Sequence, residues 1–248
     1  MSPGILLKQI LQALIFPQAC VLCEKWVLNR DFSPLCQTCL LSLEEHNQRI
    51  CYYYGRELPG IILETQGICP TCRARDLSFD FARSYGPYAG NLQKLIWNFK
   101  FEGHRRLADP LALLLERSLS KSGLQVHPAS IVPVPAHPSR KKRRGFDQTV
   151  LLGRALSSRL GIPVFRSLRR VKATRPQPGL NLQERLENVR QASRLSAAER
   201  LAQRDVLIVD DVWTTGITAT EVCRLLRRET SVERIIVVTL ARVSRRHP

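Results

Sequence analysis

From residue 81 onward the apolar positions follow two alternating rhythms. Residues 81–88 read as a strand, and 131–134 as a short strand of the buried type. Residues 91–99 place Leu92, Leu95, Ile96 and Phe99 at helical spacing, and 107–119 and 149–160 repeat that pattern. Val164 and Phe165 close another short extended run. Residues 172–182 carry Pro176, Pro178 and Gly179 and read as a loop, with a helix expected over 183–193. Four aliphatics at 206–209 predict a buried strand. A helix follows over 218–228, with Ala219, Val222, Cys223 and Leu226 on one face, and 235–240 is a last buried strand. Strands alternating with helices argue for an α/β fold with a parallel sheet flanked by helices, and continuous aliphatic strands fit burial on both faces.

The first 80 residues lack this rhythm. Leu6, Leu7, Ile10, Leu11 and Leu14 form one face of a short amphipathic helix over residues 1–16, started by Ser2 and Pro3. Its apolar stretch, broken by Lys8, Gln9 and Gln12, is too short to span a bilayer. No basic segment precedes it, as a signal peptide would need, and Pro17 does not suit a lipoprotein-type cleavage before Cys20. Residues 17–80 are cysteine-rich with frequent turn residues, and read as a compact metal-stapled module. The domain organisation expected is therefore a terminal helix at 1–16, a module at 17–80 and an α/β domain at 81–248.

The segment at 206–218, V-L-I-V-D-D-V-W-T-T-G-I-T, carries the sharpest chemistry. A buried strand delivers Asp210 and Asp211 to its carboxyl end, the edge where open α/β sheets bind ligands. Paired carboxylates there can accept hydrogen bonds from vicinal hydroxyls or hold Mg²⁺. Thr214, Thr215, Gly216 and Thr218 follow at a helix entry, where hydroxyls, backbone N–H groups and the helix dipole favour a phosphate. This order spaces a ribose diol and its 5-phosphate a few residues apart. It resembles the phosphoribosyl-pyrophosphate (PRPP) loop of type I phosphoribosyltransferases. No G-x-x-x-x-G-K-[ST] occurs, which disfavours a P-loop enzyme.

Charge sharpens the picture. Lys and Arg outnumber Asp and Glu by 38 to 21, a net charge of +17, so an anionic partner is expected. Five consecutive cations, Arg140 to Arg144, follow the strand at 131–134 in the loop expected over 135–145. They are suited to pyrophosphate, which arginine chelates bidentately, or to a nucleic-acid backbone. The stretch 172–190, with Arg185, Asn188 and Arg190, is a candidate hood over the ligand. Arg140, Arg144 and Arg185 are the candidate catalytic cations.

Seven of the eight cysteines lie between Cys20 and Cys72. Cys20-x-x-Cys23 and Cys36-x-x-Cys39 suit tetrahedral Zn²⁺ closed by four thiolates, a structural site in a reducing compartment. Cys51, Cys69 and Cys72 make a possible second site, short of one thiolate. Tyr54 occupies the fourth position, and His46 is an unsupported alternative ligand. Tyr52, Tyr53 and Tyr54 offer rings either to the core or to unstacked bases. Cys223 is read as core.

Taken in order, the C-x-x-C pairs, N-L-Q-K-L-I-W-N-F-K-F-E-G (91–103), V-P-V-P (132–135), R-R-G-F-D-Q (143–148), Arg185-x-x-Asn188 and the phosphate loop resemble the competence protein F (ComF) family. Two positions depart from its pattern: Asp147 stands where the family has Asn, and Tyr54 where it has Cys. The resemblance implies a zinc module joined to a type I phosphoribosyltransferase domain. Asp210 and Asp211 would address the ribose, Thr214 to Thr218 would cradle the 5-phosphate, and Mg²⁺ would accompany PRPP. It implies a cytoplasmic protein that handles incoming DNA in natural transformation, with single-stranded DNA and competence-machinery proteins as partners. Two alternatives stand beside it: a phosphoribosyltransferase acting on a base or amine in nucleotide metabolism, and a non-catalytic PRPP-sensing, DNA-binding adaptor.

Overall fold

A computed structural model describes residues 18–27, 33–46, 50–58, 67–73, 77–123, 127–136, 138–166, 168–170 and 193–243. The expected terminal helix at 1–16, the hood at 172–190 with Arg185, and nearly all of the helix expected at 183–193 lie outside them.

In the cysteine-rich part, β1 (Gln18–Ala19) and β2 (Trp26–Val27) pair antiparallel around the first C-x-x-C. Two short helices, α1 (Gln37–Leu41) and α2 (Pro70–Arg73), carry Cys39 and Cys72 and directly follow Cys36 and Cys69. The chain then enters β3 (Phe81–Pro87), α3 (Gly90–Phe101), α4 (Ala108–Ser120), β4 (Ser130–Pro133), α5 (Pro138–Arg144) and α6 (Gln148–Leu160). A two-stranded ribbon, β5 (Leu168–Arg170) with β6 (Ser193–Leu195), precedes β7 (Val206–Trp213), α7 (Ile217–Glu229) and β8 (Ile235–Arg242).

β3, β8, β7 and β4 form one parallel sheet in that order. Leu207 and Val209 of β7, with Ile236 and Val238 of β8, pack beneath α3, α4 and α6 through Leu95, Phe99, Leu111, Leu115 and Leu152. The neighbouring residues Val206, Ile208, Ile235 and Val237 face α7, against Val222, Cys223 and Leu226. Helices on both faces explain why these strands read as unbroken aliphatic runs. Cys223 is fully buried there, and burial pushes its thiol up from the ordinary value.

Three expectations are corrected. The loop expected at 135–145 contains α5. Pro138 opens it, a position where proline costs no helical hydrogen bond, and Gly145 ends it at φ 73°. The strand expected at 206–209 continues to Trp213, so the acidic pair lies inside β7. Val164 makes only an isolated parallel bridge to Ile131.

The cysteine-rich part covers the β3 edge of the sheet. Ala82 donates to the Tyr53 carbonyl at 2.7 Å, and His46 donates to the Tyr85 carbonyl at 2.9 Å. An otherwise unpaired strand edge is thereby closed. Buried Arg83 reinforces the junction, its Nη1 donating to the Tyr52 carbonyl at 2.8 Å.

Candidate functional site

Successive side chains on a strand leave opposite faces, and β7 separates its two carboxylates in this way. Asp210 aligns with Thr239 of β8, which aligns in turn with Ser84 of β3. Ser84 and Thr239 share a 2.7 Å hydrogen bond in the buried interior. The Asp210 carboxylate also accepts the Asp211 backbone N–H at 2.8 Å. Asp211 emerges on the other face, beneath α3 and α6. Lys100 Nζ lies 2.8 Å from its Oδ1, and Gln148 Nε2 donates to its Oδ2 at 3.2 Å.

Neither Lys100 nor Gln148 stands out from sequence as a site residue, although both sit in segments that carry the family pattern. A signal was present for Lys100. It continues the buried stripe of Leu92 and Ile96 at four-residue spacing, where another apolar residue is the ordinary choice.

The hydroxyl-rich turn follows β7. Thr214 is exposed, Thr215 and Thr218 are half-buried, and Gly216 precedes the first residue of α7. Gly216 has φ 74° and offers no side chain to cap the helix. A Cβ there would lie 2.3 Å from Trp213 Cζ2, so only glycine lets the turn rest on the indole. The result is a tight turn at the amino end of a 13-residue helix, at the carboxyl edge of a parallel sheet. That arrangement suits an anion.

Trp213 is the floor of this turn. Tyr54 and Phe79 meet it edge-on at 5.4 and 5.5 Å, and the Arg242 guanidinium lies 4.7 Å from its ring centre. Arg242 also sits 4.8 Å from the Tyr54 ring and donates to the Tyr54 carbonyl at 2.7 Å. Burial pulls the Arg242 pKa down to about 10, which leaves the guanidinium charged at neutral pH. Tyr54 thus points from the cysteine-rich part into the underside of the phosphate-type turn. Tyr52 and Tyr53 stay partly exposed and pack on Phe81.

Of the candidate catalytic cations, Arg140 and Arg144 belong to α5, and Arg185 lies outside the described residues. Arg144, at the end of α5, places its guanidinium 4.8 Å from the Phe101 ring centre. Asp147, in place of the family's Asn, caps α6 by accepting from Val150 N at 3.4 Å and from the Thr149 hydroxyl at 2.8 Å. Beside α5 lies a cavity of about 590 Å³, lined by Pro133, Pro135, Lys141, Arg154, Phe165 and Arg166 among others. It joins apolar walls to basic side chains.

The thiols form two clusters. Cys20, Cys23, Cys36 and Cys39 bring their Sγ atoms within 4.8 Å of one another. Burial opposes ionisation of Cys20, but backbone N–H groups of Cys36, Cys23 and Leu22 outweigh it and bring the thiol down to about 7. Burial and the neighbouring thiols push Cys39 up instead. Four crowded thiols of this kind ionise together only around a cation, so the quartet fits structural zinc. Cys51, Cys69 and Cys72 converge in the same manner, with Sγ contacts of 3.6 and 3.4 Å to Cys72. Tyr54 packs against this cluster and donates its backbone N–H to Cys51 Sγ at 3.4 Å, while its ring also reaches Trp213. His46 is not a member of this cluster; its Nδ1 lies 2.8 Å from Glu57 Oε1. Among the described residues the second cluster is therefore a trio of thiols.

Comparison with known proteins agrees with this division of labour. Residues 147–248 match the phosphoribosyl transferase domain, and residues 11–73 match the double zinc ribbon domain. The chain is 37% identical to competence protein F of Haemophilus influenzae over 180 residues, 70% of this chain and 78% of that protein. It is 35% identical to the DNA utilization protein YhgH of Escherichia coli (strain K12), over 64% of this chain and 71% of that protein. It is 24% identical to competence protein ComFC of Bacillus subtilis, over 84% of each chain. With a thiol-rich zinc ribbon closing the edge of a phosphoribosyltransferase-type sheet, the chain belongs to the competence protein F family.

Proposed function

We propose that this protein binds PRPP at the turn after β7 and handles incoming single-stranded DNA during natural transformation. The observation that carries the PRPP reading is Gly216, held in a left-handed conformation on Trp213 just behind Asp210 and Asp211. The turn and the start of α7 receive the 5-phosphate through Thr214, Thr215, Gly216 and Thr218. Asp210 and Asp211 address the ribose hydroxyls. Lys100 and Gln148 orient the Asp211 carboxylate, which keeps lone pairs for a further contact. Asp210 and Asp211 are the residues that would hold Mg²⁺ accompanying PRPP, and the ion would neutralise charge there. Arg140, Arg144 and Arg185 are the cations assigned to pyrophosphate.

The DNA part of the reading is supported by the net charge of +17 and by the names of the Haemophilus and Escherichia relatives. Competence-machinery proteins are the partners this implies. A cytoplasmic location is supported by thiolate zinc ligation, which favours a reducing compartment. Among the described residues no helix is long and apolar enough to cross a membrane. A second reading, a transferase acting on a base or amine, is favoured by the cavity beside α5, whose size is that of a small-molecule pocket.

Calorimetric titration of PRPP with Mg²⁺ tests the first reading. Binding by the zinc-loaded protein and its loss in Asp210→Asn/Asp211→Asn is expected. A folded, zinc-loaded protein that takes up no PRPP overturns it. Pyrophosphate release that depends on one particular base would establish the transferase instead.

A further inference from the structure

We infer that the outer face of α3 is a base-stacking platform for single-stranded nucleic acid, with Trp97 and Phe101 as the stacking rings. This rests on the DNA-handling reading above and assigns a surface to it.

On α3 the inward residues Leu92, Leu95, Ile96 and Phe99 are fully or almost fully buried. The outward face carries Lys94, Trp97 and Phe101 at spacings of three and four, so they are neighbours along one ridge. Trp97 is 52% exposed and Phe101 41% exposed, and their ring centres are 4.4 Å apart with planes tilted by 44°. Two large adjacent rings on a charged helix are an unusual use of surface, because each forgoes burial that an apolar ring normally finds.

The chemistry around the rings selects the partner. The Arg144 guanidinium lies over the Phe101 ring, 4.8 Å from its centre. Arg144 is the last of the five cations of α5, so the basic helix adjoins the aromatic pair. Lys94 stands at the other end of the ridge. Glu102, just past the helix, is the acidic neighbour. Exposed rings flanked by cations match the two halves of a nucleotide: bases stack on any π-face, and phosphates take the cations. The inward stripe of the same helix carries Lys100, paired with Asp211, so one helix bears both the platform and a contact to the ribose-phosphate site. An apolar partner would answer the rings alone, whereas a polyanion with bases answers both the rings and the basic helix beside them.

The experiment follows a labelled oligothymidine by fluorescence anisotropy at several salt concentrations, with the full-length protein. In Trp97→Ala/Phe101→Ala the affinity is expected to fall about tenfold or more, because two stacking rings are removed. Its salt slope should stay unchanged, because the phosphates are still neutralised. Lys94→Gln/Lys142→Gln should behave oppositely, flattening the slope by about 0.7 for each phosphate no longer neutralised. Trp97→Phe keeps a ring and should retain most of the affinity. Zinc content and PRPP affinity of each variant show that the fold is intact.

Equal oligothymidine binding by wild type and the aromatic variant overturns the platform while leaving the DNA reading standing. Absence of binding by a wild type that still takes up PRPP removes the DNA reading and the platform with it. A wild type that dimerises in sedimentation, beside a monomeric aromatic variant, assigns the face to a second copy of the chain and also overturns the inference.

Discussion

Lys100 Nζ on α3 lies 2.8 Å from Asp211 Oδ1 on β7, and both side chains are largely withdrawn from solvent. The pair ties a helix to the strand that carries the candidate ribose site. It also neutralises a carboxylate that would otherwise be buried alone.

Lys100→Met should therefore cost about 3–5 kcal/mol, the penalty for leaving one member of a buried pair uncompensated. Urea denaturation measures it. Adding Asp211→Asn should recover much of that stability, because no lone charge remains, yet PRPP affinity should stay low. Recovery of both together would mean that Asp211 has no part in ligand binding.

The Gly216–Trp213 contact leads to a second expectation. Gly216→Ala places a Cβ against the indole at a left-handed φ, a conformation that costs an L-residue about 1–2 kcal/mol before any clash is counted. The turn must lift, so PRPP binding should weaken at least about tenfold, the factor that 1.4 kcal/mol represents. Trp213 emission should shift as well. Unchanged affinity in a folded variant would place the phosphate elsewhere.

Tyr54 links the thiol trio to the turn, and Tyr54→Cys separates its two surroundings. The new thiol completes a C-x-x-C with Cys51, so the second cluster should hold zinc more firmly against a chelator. Removing the ring leaves Arg242 and Trp213 without its packing. A destabilisation at the low end of about 3–5 kcal/mol is expected, since Tyr54 is only partly buried. Weaker PRPP binding should accompany it. Zinc retention by colorimetric chelation and affinity by calorimetry read the two effects independently.

The first thiol quartet should behave as a folding element. Cys36→Ser is expected to release its zinc and lower the melting temperature, because a small segment with little core takes its folding energy from the metal. Acidification should release the metal too, as protons compete for the thiolates. Purified protein without zinc by metal analysis would sink the assignment.

Much was legible along the chain. Apolar runs at 131–134, 206–209 and 235–240 marked sheet strands because both faces of this sheet are covered and local hydrophobicity records that directly. The quartet Cys20, Cys23, Cys36 and Cys39 was legible because metal ligation needs short, regular spacing. The turn at Thr214–Gly216 was legible because a glycine beside hydroxyls is a local requirement. Other features leave a weaker local record. A run of five cations carries no helical hydrophobic pattern, so α5 reads as a loop; its helix depends on Pro138, Gly145 and its neighbours.

By itself the sequence determined which residue types stand at the end of β7 and which thiols can share a metal, since both follow from spacing along one segment. Only the tertiary structure decided that Lys100 answers Asp211 and that the Tyr54 ring reaches Trp213. Those pairings of Lys100 with Asp211 and of Tyr54 with Trp213 join segments more than a hundred residues apart. They are set by how helices and a zinc ribbon pack on a shared sheet, and no pattern within any one segment encodes that packing.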